Sequence, residues 1–264
     1  MNTFHRYSRV FAAAALCALG STGAYAQASW DLDACVRNGG TSCNASGASL
    51  TTSVAVSGYY ATGATNKFAL GTLNTGADWM GIGSASENTT DPNHSIDNIT
   101  SSGSPYELVY LQFSRAVDLS NITAVWTGGT GYDADFQLWR WNGSGAPTVT
   151  DYQPNAAATP GTAGSGMTGW TSVTVSTGDF EGALSQTISD GTYYSSYWLV
   201  STAFGGSNDA FKLGSLTAAT AVCSGGANGS GGCAPSVSVP EPASIAMVLL
   251  AGVAATSVRR RRRA

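Results

Sequence analysis

The sequence predicts an all-β fold, an antiparallel β-sandwich of jelly-roll type, and three observations carry that prediction. Short runs of alternating apolar and polar residues recur between clusters of Gly, Ser and Asn. No amphipathic helical stripe of any length occurs between Gln27 and Ala221. Trp, Tyr and Phe recur beside β-branched residues, and they supply the buried area that a chain so rich in Gly, Ser and Thr would otherwise lack.

The strands follow in order. Ser49 to Val56 is a polar and β-branched run ending at Gly58, Glu107 to Phe113 reads Glu-Leu-Val-Tyr-Leu-Gln-Phe, and Asn121 to Trp126 reads Asn-Ile-Thr-Ala-Val-Trp. Phe136 to Trp141 alternates Phe, Leu and Arg with Gln, Trp and Trp. Trp170 to Val175, Tyr193 to Thr202 and Phe211 to Leu216 complete the set, with turns at Gly128-Gly129, Gly143 to Gly145 and Gly205-Gly206. Asn142 to Thr168, rich in Gly, Ala, Pro and Thr, reads as one long exposed loop.

Four segments organise the chain. Residues 1–26 read as a signal peptide, with Arg6 and Arg9 before the apolar run Val10 to Leu19 and a small-x-small cleavage site at Ala24-Tyr25-Ala26, so that Gln27 begins the mature chain. Residues 27–221 form the sandwich, long enough for one substantial core. Residues 222–238 read as a Gly/Ser-rich tether, and 239–264 as a tail.

Composition excludes some partners. Between Gln27 and Val239 five basic side chains face fifteen carboxylates, a formal charge of −10. Phosphate-backbone binding rests on Lys and Arg, so nucleic acid is not an expected partner. The body's four cysteines fall in two local pairs, Cys35 with Cys43 and Cys223 with Cys233, which predicts two short-loop disulfides in an oxidising compartment; cross-bridges between the ends of the domain are the alternative. Their spacing does not suit a zinc ribbon.

Candidate chemistry is sparse. The body has one histidine, His94, which rules out paired-histidine zinc sites, and no Gly-x-Ser-x-Gly elbow accompanies it. Glu107 with Asp133 is one of many formal glycosidase pairs, and spacing selects none of them. Asp133 and Asp135 lie two apart and share a face of an extended segment; with Asp97, from the loop containing Asp91 and Asn98, they predict a site for a structural Ca²⁺. Trp139 and Trp141 also share a face, and with Tyr132 they predict a flat aromatic platform for sugar rings. Asx-turns and core packing are the alternative uses of the same residues.

The tail is the most specific signal. Pro240-Glu241-Pro242 is followed by an apolar run at 243–258 and by Arg259, Arg260, Arg261, Arg262 and Arg263. As a helix, those sixteen residues rise about 24 Å, a short span of a hydrocarbon core of about 30 Å. The arginines stop translocation and stay cytoplasmic, which places the body outside. This order closely resembles the PEP-CTERM sorting signal of exosortase-dependent bacterial surface proteins. The resemblance covers Val239 to Ala264 and implies recognition of Pro-Glu-Pro by a membrane-embedded exosortase, removal of the tail, and delivery to the surface or exopolysaccharide matrix of a Gram-negative bacterium. His94 to Asn98, Leu108 to Phe113 and Tyr132 to Phe136 also resemble the body of such surface proteins, and that likeness implies no activity. The expectation is a non-enzymatic surface or matrix protein. A carbohydrate-binding module on exopolysaccharide is the second expectation and a secreted hydrolase the third.

Overall fold

A computed structural model describes residues 27–36, 42–44, 52–62, 66–83, 94–99, 106–154, 167–173, 175, 178–188, 194–204, 208–223 and 233–235. The expected signal peptide at 1–26 and the expected sorting tail at 239–264 lie outside the described residues. No helix among those described is long and apolar enough to cross a membrane.

The fold is all-β and antiparallel, built on one long strand. β8, Tyr106–Trp126, has no Gly or Pro in twenty-one residues, so nothing interrupts it, and the two runs expected at Glu107 to Phe113 and Asn121 to Trp126 are its two halves. Its first half lies between β3 (Ser53–Ala61) and β12 (Ser195–Thr202). Its second half lies between β13 (Ala210–Cys223) and β11 (Ser185–Thr187). β12 also pairs with β9 (Phe136–Trp141), and β9 with β10 (Trp170–Val173).

Shorter pieces complete the sheet. β1 (Gln27–Asp31) pairs with β13 and leads into α1 (Leu32–Val36), which the Cys35–Cys43 disulfide ties to β2 (Ser42–Asn44). β4 (Ala69–Leu70) pairs with β3, and β5 (Thr72–Thr75) with β6 (Met80–Gly83); β6 and β7 (Ile96–Asp97) pair with β13. β14 (Cys233–Pro235) pairs with the end of β13, setting Cys223 opposite Cys233. The tether expected at 222–238 is therefore strand-paired at Val222, Cys223 and 233–235.

Two cores form. Val109, Leu111 and Phe113 of the first half of β8 share one with Leu119, Ile122 and Ala124 of the second half, and with Trp30, Trp198 and Phe211. The inward parity changes from odd to even between Leu119 and Ile122, where the register with β13 slips by one residue. The second core lies on the other face of the first half, where Leu108 and Tyr110 meet Trp139, Trp141, Leu199, Phe68 and Phe204. β9 is accordingly buried along its whole length, Gln137 and Arg140 included.

The segment Asn142 to Thr168 is not uniformly the exposed loop expected from its composition. Val149 and Met167 are buried in the second core, and Tyr152 packs against it. Trp141 holds this strap down, because its Nε1 donates to Gly145 O at 2.9 Å. Gly143 and Gly169 pack so closely on the same indole that a Cβ at either would collide with it.

Candidate functional site

Carboxylates from three segments converge at one end of β9. The Asp133 N–H donates to Asn208 O at 2.9 Å and the Ala210 N–H to Asp133 O at 2.8 Å, which docks Asp133 beside Asp209. The Phe136 N–H donates to Gly178 O at 2.8 Å and the Phe180 N–H to Ala134 O at 3.2 Å, which sets Asp135 opposite Asp179. Beneath these bonds the Phe136 and Phe180 rings stack at 4.1 Å. Carboxylate oxygens of Asp133, Asp135 and Asp209 lie within 4.8 Å of one another, and those of Asp133, Asp179 and Glu181 meet the same limit.

Asn98 fixes the deepest of these acids. The Asp209 N–H donates to Asn98 Oδ1 at 2.8 Å, while Asn98 Nδ2 donates to Asp209 Oδ2 and, at 3.0 Å, to Ala203 O. Burial pushes the Asp209 carboxyl up to about 7, against the lowering effect of the Asn98 hydrogen bond; Asp135 and Asp133 push it the same way as burial, and a backbone hydrogen bond from Asp135 opposes them. Asp135 is also raised, first by burial and then by Asp133, Asp179 and Glu181. Such a cluster reaches neutrality by taking up protons or by holding a hard cation. Its donors are all oxygen, a set that suits Ca²⁺ or Mg²⁺ rather than zinc.

The acids expected from the sequence are only partly brought together. Asp133 and Asp135 do converge. Asp97 does not join them: it is fully buried, its Oδ1 accepts from the Ile99 N–H at 3.0 Å, and its own N–H donates to Glu107 Oε2 at 3.1 Å. Glu107 is thereby engaged with β7 and belongs to neither carboxylate group that contains Asp133. Asp179, Glu181 and Asp209 complete the cluster and were not foreseen. The Asp179-x-Glu181 spacing, which repeats that of Asp133-x-Asp135, was the available signal.

The aromatic platform is corrected by burial. Trp139 and Trp141 do share a face, but that face is the second core: Trp139 has no exposure, donates from Nε1 to Ser201 Oγ at 3.3 Å, and stacks on Phe204. Trp141 lies between Gly143, Gly169, Trp170 and Tyr152. Both indoles are buried, and Tyr132 belongs to the turn after Gly128. His94 has a structural contact across the fold. Lys212, buried on β13, donates from Nζ to His94 Nε2 at 3.2 Å, and the ammonium lies 4.1 Å from the centre of the Trp79 ring and 4.7 Å from that of Trp126.

No family model, curated protein or solved structure matches this chain.

Proposed function

We propose that the chain is an exported, exosortase-processed surface or matrix protein, with a non-catalytic body of β-sandwich, jelly-roll type held outside the cell until its anchor is removed. One observation carries this reading, the order Pro240-Glu241-Pro242, apolar span 243–258 and Arg259 to Arg263. The start of the body supports it. Gln27, the residue after the expected cleavage site, lies in β1, and Ala28 and Trp30 of that strand are buried, which suits a body that folds from the expected mature start. The sandwich assignment draws on the first half of β8, which is packed on both faces.

A second reading concerns the acids. Convergence of Asp133, Asp135, Asp179, Glu181 and Asp209 in a body with few cations favours a structural Ca²⁺, with Asp97 outside the site, its Oδ1 accepting from the Ile99 N–H.

The sorting proposal is tested on the C-terminus. In a Gram-negative host carrying exosortase, mass determination of the surface form should show that residues 243–264 have been lost, and Glu241→Ala should leave uncleaved precursor in the inner membrane. Removing Arg259 to Arg263 should instead let some chains slip into the periplasm. A full tail on surface-exposed protein would mean a plain membrane anchor.

A further inference from the structure

The second core is roofed over only part of the sheet face on which it forms. Cross-strand partners place three rows on that face: Ala55, Gln112 and Tyr197; Ser57, Tyr110, Leu199 and Trp139; and Leu70, Tyr59 and Leu108. The strap carrying Val149 and Tyr152 covers the Trp141 side, and Phe68 and Phe204 cover the Trp139 side. Among the described residues, the side nearer β3 is the less covered one. Tyr59 and Tyr197 are half-buried, Gln112 is exposed, and Leu70 is the most exposed large apolar side chain among the described residues, at 68%.

This less covered side is an aromatic shelf. The Tyr110 ring stands edge-on to Tyr59 at 6.4 Å and parallel to Tyr197 at 6.2 Å, so a buried ring floors the gap between two half-buried rings on the flanking strands. Ser57 and Gln112 floor the remainder, and none of the residues in these three rows is charged. Burial pushes the Tyr59 phenol up, which keeps its hydroxyl a neutral hydrogen-bonding group.

We propose that this shelf, the half-buried Tyr59 and Tyr197 over a buried Tyr110, with Ser57 and Gln112, binds a neutral polysaccharide. Sugar rings present apolar C–H faces and uncharged hydroxyls, and the shelf offers ring faces and edges beside uncharged hydroxyl and amide groups. Charge decides against the other common glycans. A body of formal charge −10 repels a polyanion, and the shelf has no ammonium or guanidinium among these residues to offset that. The inference concerns the folded body alone, so failure of tail processing would not touch it.

Affinity electrophoresis of the full-length, detergent-solubilised protein tests it, in gels cast with a soluble neutral glucan, a galactomannan, a polyuronate or no polysaccharide. Retardation is expected in at least one neutral gel and in neither of the others. Tyr197→Ala should weaken it by about tenfold, the loss of one stacked ring. Gln112→Glu changes only an exposed side chain and should also abolish retardation while leaving the melting temperature unchanged, which separates lost binding from lost folding. Mobility equal in all gels, preference for the polyuronate, or undiminished retardation of both variants would overturn the proposal.

Discussion

Asn98 and Asp209 hold each other through two opposed hydrogen bonds, the Asp209 N–H to Asn98 Oδ1 at 2.8 Å and Asn98 Nδ2 to the Asp209 carboxylate. The pair joins the end of β7 to the start of β13 across 111 residues of sequence. Asn98→Ala removes both bonds and leaves a buried carboxyl without its amide partner, which should cost about 3 kcal/mol. Urea unfolding measures it, and a loss under about 1 kcal/mol would show that the pair is dispensable.

The pH dependence of stability follows from Asp209. Its carboxyl is held near 7 in the fold against an ordinary 3.8, so folding takes up a proton between those values. The stability it contributes is complete below about pH 4 and is lost as pH rises through about 7. In EDTA, stability should therefore fall from about pH 5 to about pH 8 by no more than about 1.4 kcal/mol per pH unit, and Asp209→Asn should flatten the profile. The same slope in wild type and variant would place the proton elsewhere.

Calcium should reverse part of that loss. A cation bound only by the folded chain raises the melting temperature by mass action, about 2.7 kcal/mol at about 100 times the dissociation constant. Differential scanning calorimetry at millimolar Ca²⁺ should show the rise in wild type and not in Asp133→Ala/Asp135→Ala. An unchanged wild-type melt would leave the cluster as a proton-binding site.

Gly169 has φ +85° and packs on the Trp141 indole, whereas Gly145 has φ +70° and open space around its Cα. Backbone strain is common to both, so Gly145→Ala should cost about 1 kcal/mol and Gly169→Ala distinctly more, about 2–3 kcal/mol, with a change in the near-UV circular dichroism of Trp141. Equal costs would mean that the strap yields freely.

Non-reducing peptide mapping should join Cys35 to Cys43, the bridge present between α1 and β2, and Cys223 to Cys233, which are ladder partners in β13 and β14. Each short loop should contribute roughly 2–3 kcal/mol. Links between the two pairs would contradict the register.

What the sequence made legible was local. Phe136 to Trp141 is a strand with the expected bounds because six consecutive large residues leave no other use for the segment. β8 appeared as two runs because Ser114 to Ser120 between them breaks the strict alternation, yet it holds no Gly or Pro and so continues the strand. Asp133 and Asp135 were visible as an i, i+2 pair, while Asp209 entered the cluster through a bridge that no spacing reveals. Trp139 and Trp141 were placed on one face correctly, but whether that face meets water depended on the strap from Asn142 to Tyr152, a property of packing.

A strand that belongs to both halves of a sheet leaves the chain without a seam. Because β8 lends its first half to one set of partners and its second half to another, neither half can melt and keep its own ladder intact. Proteolytic nicks in the connecting segments would cut the polypeptide without releasing a stable fragment. Fluorescence from Trp198 in one core and Trp139 in the other should then report a single transition.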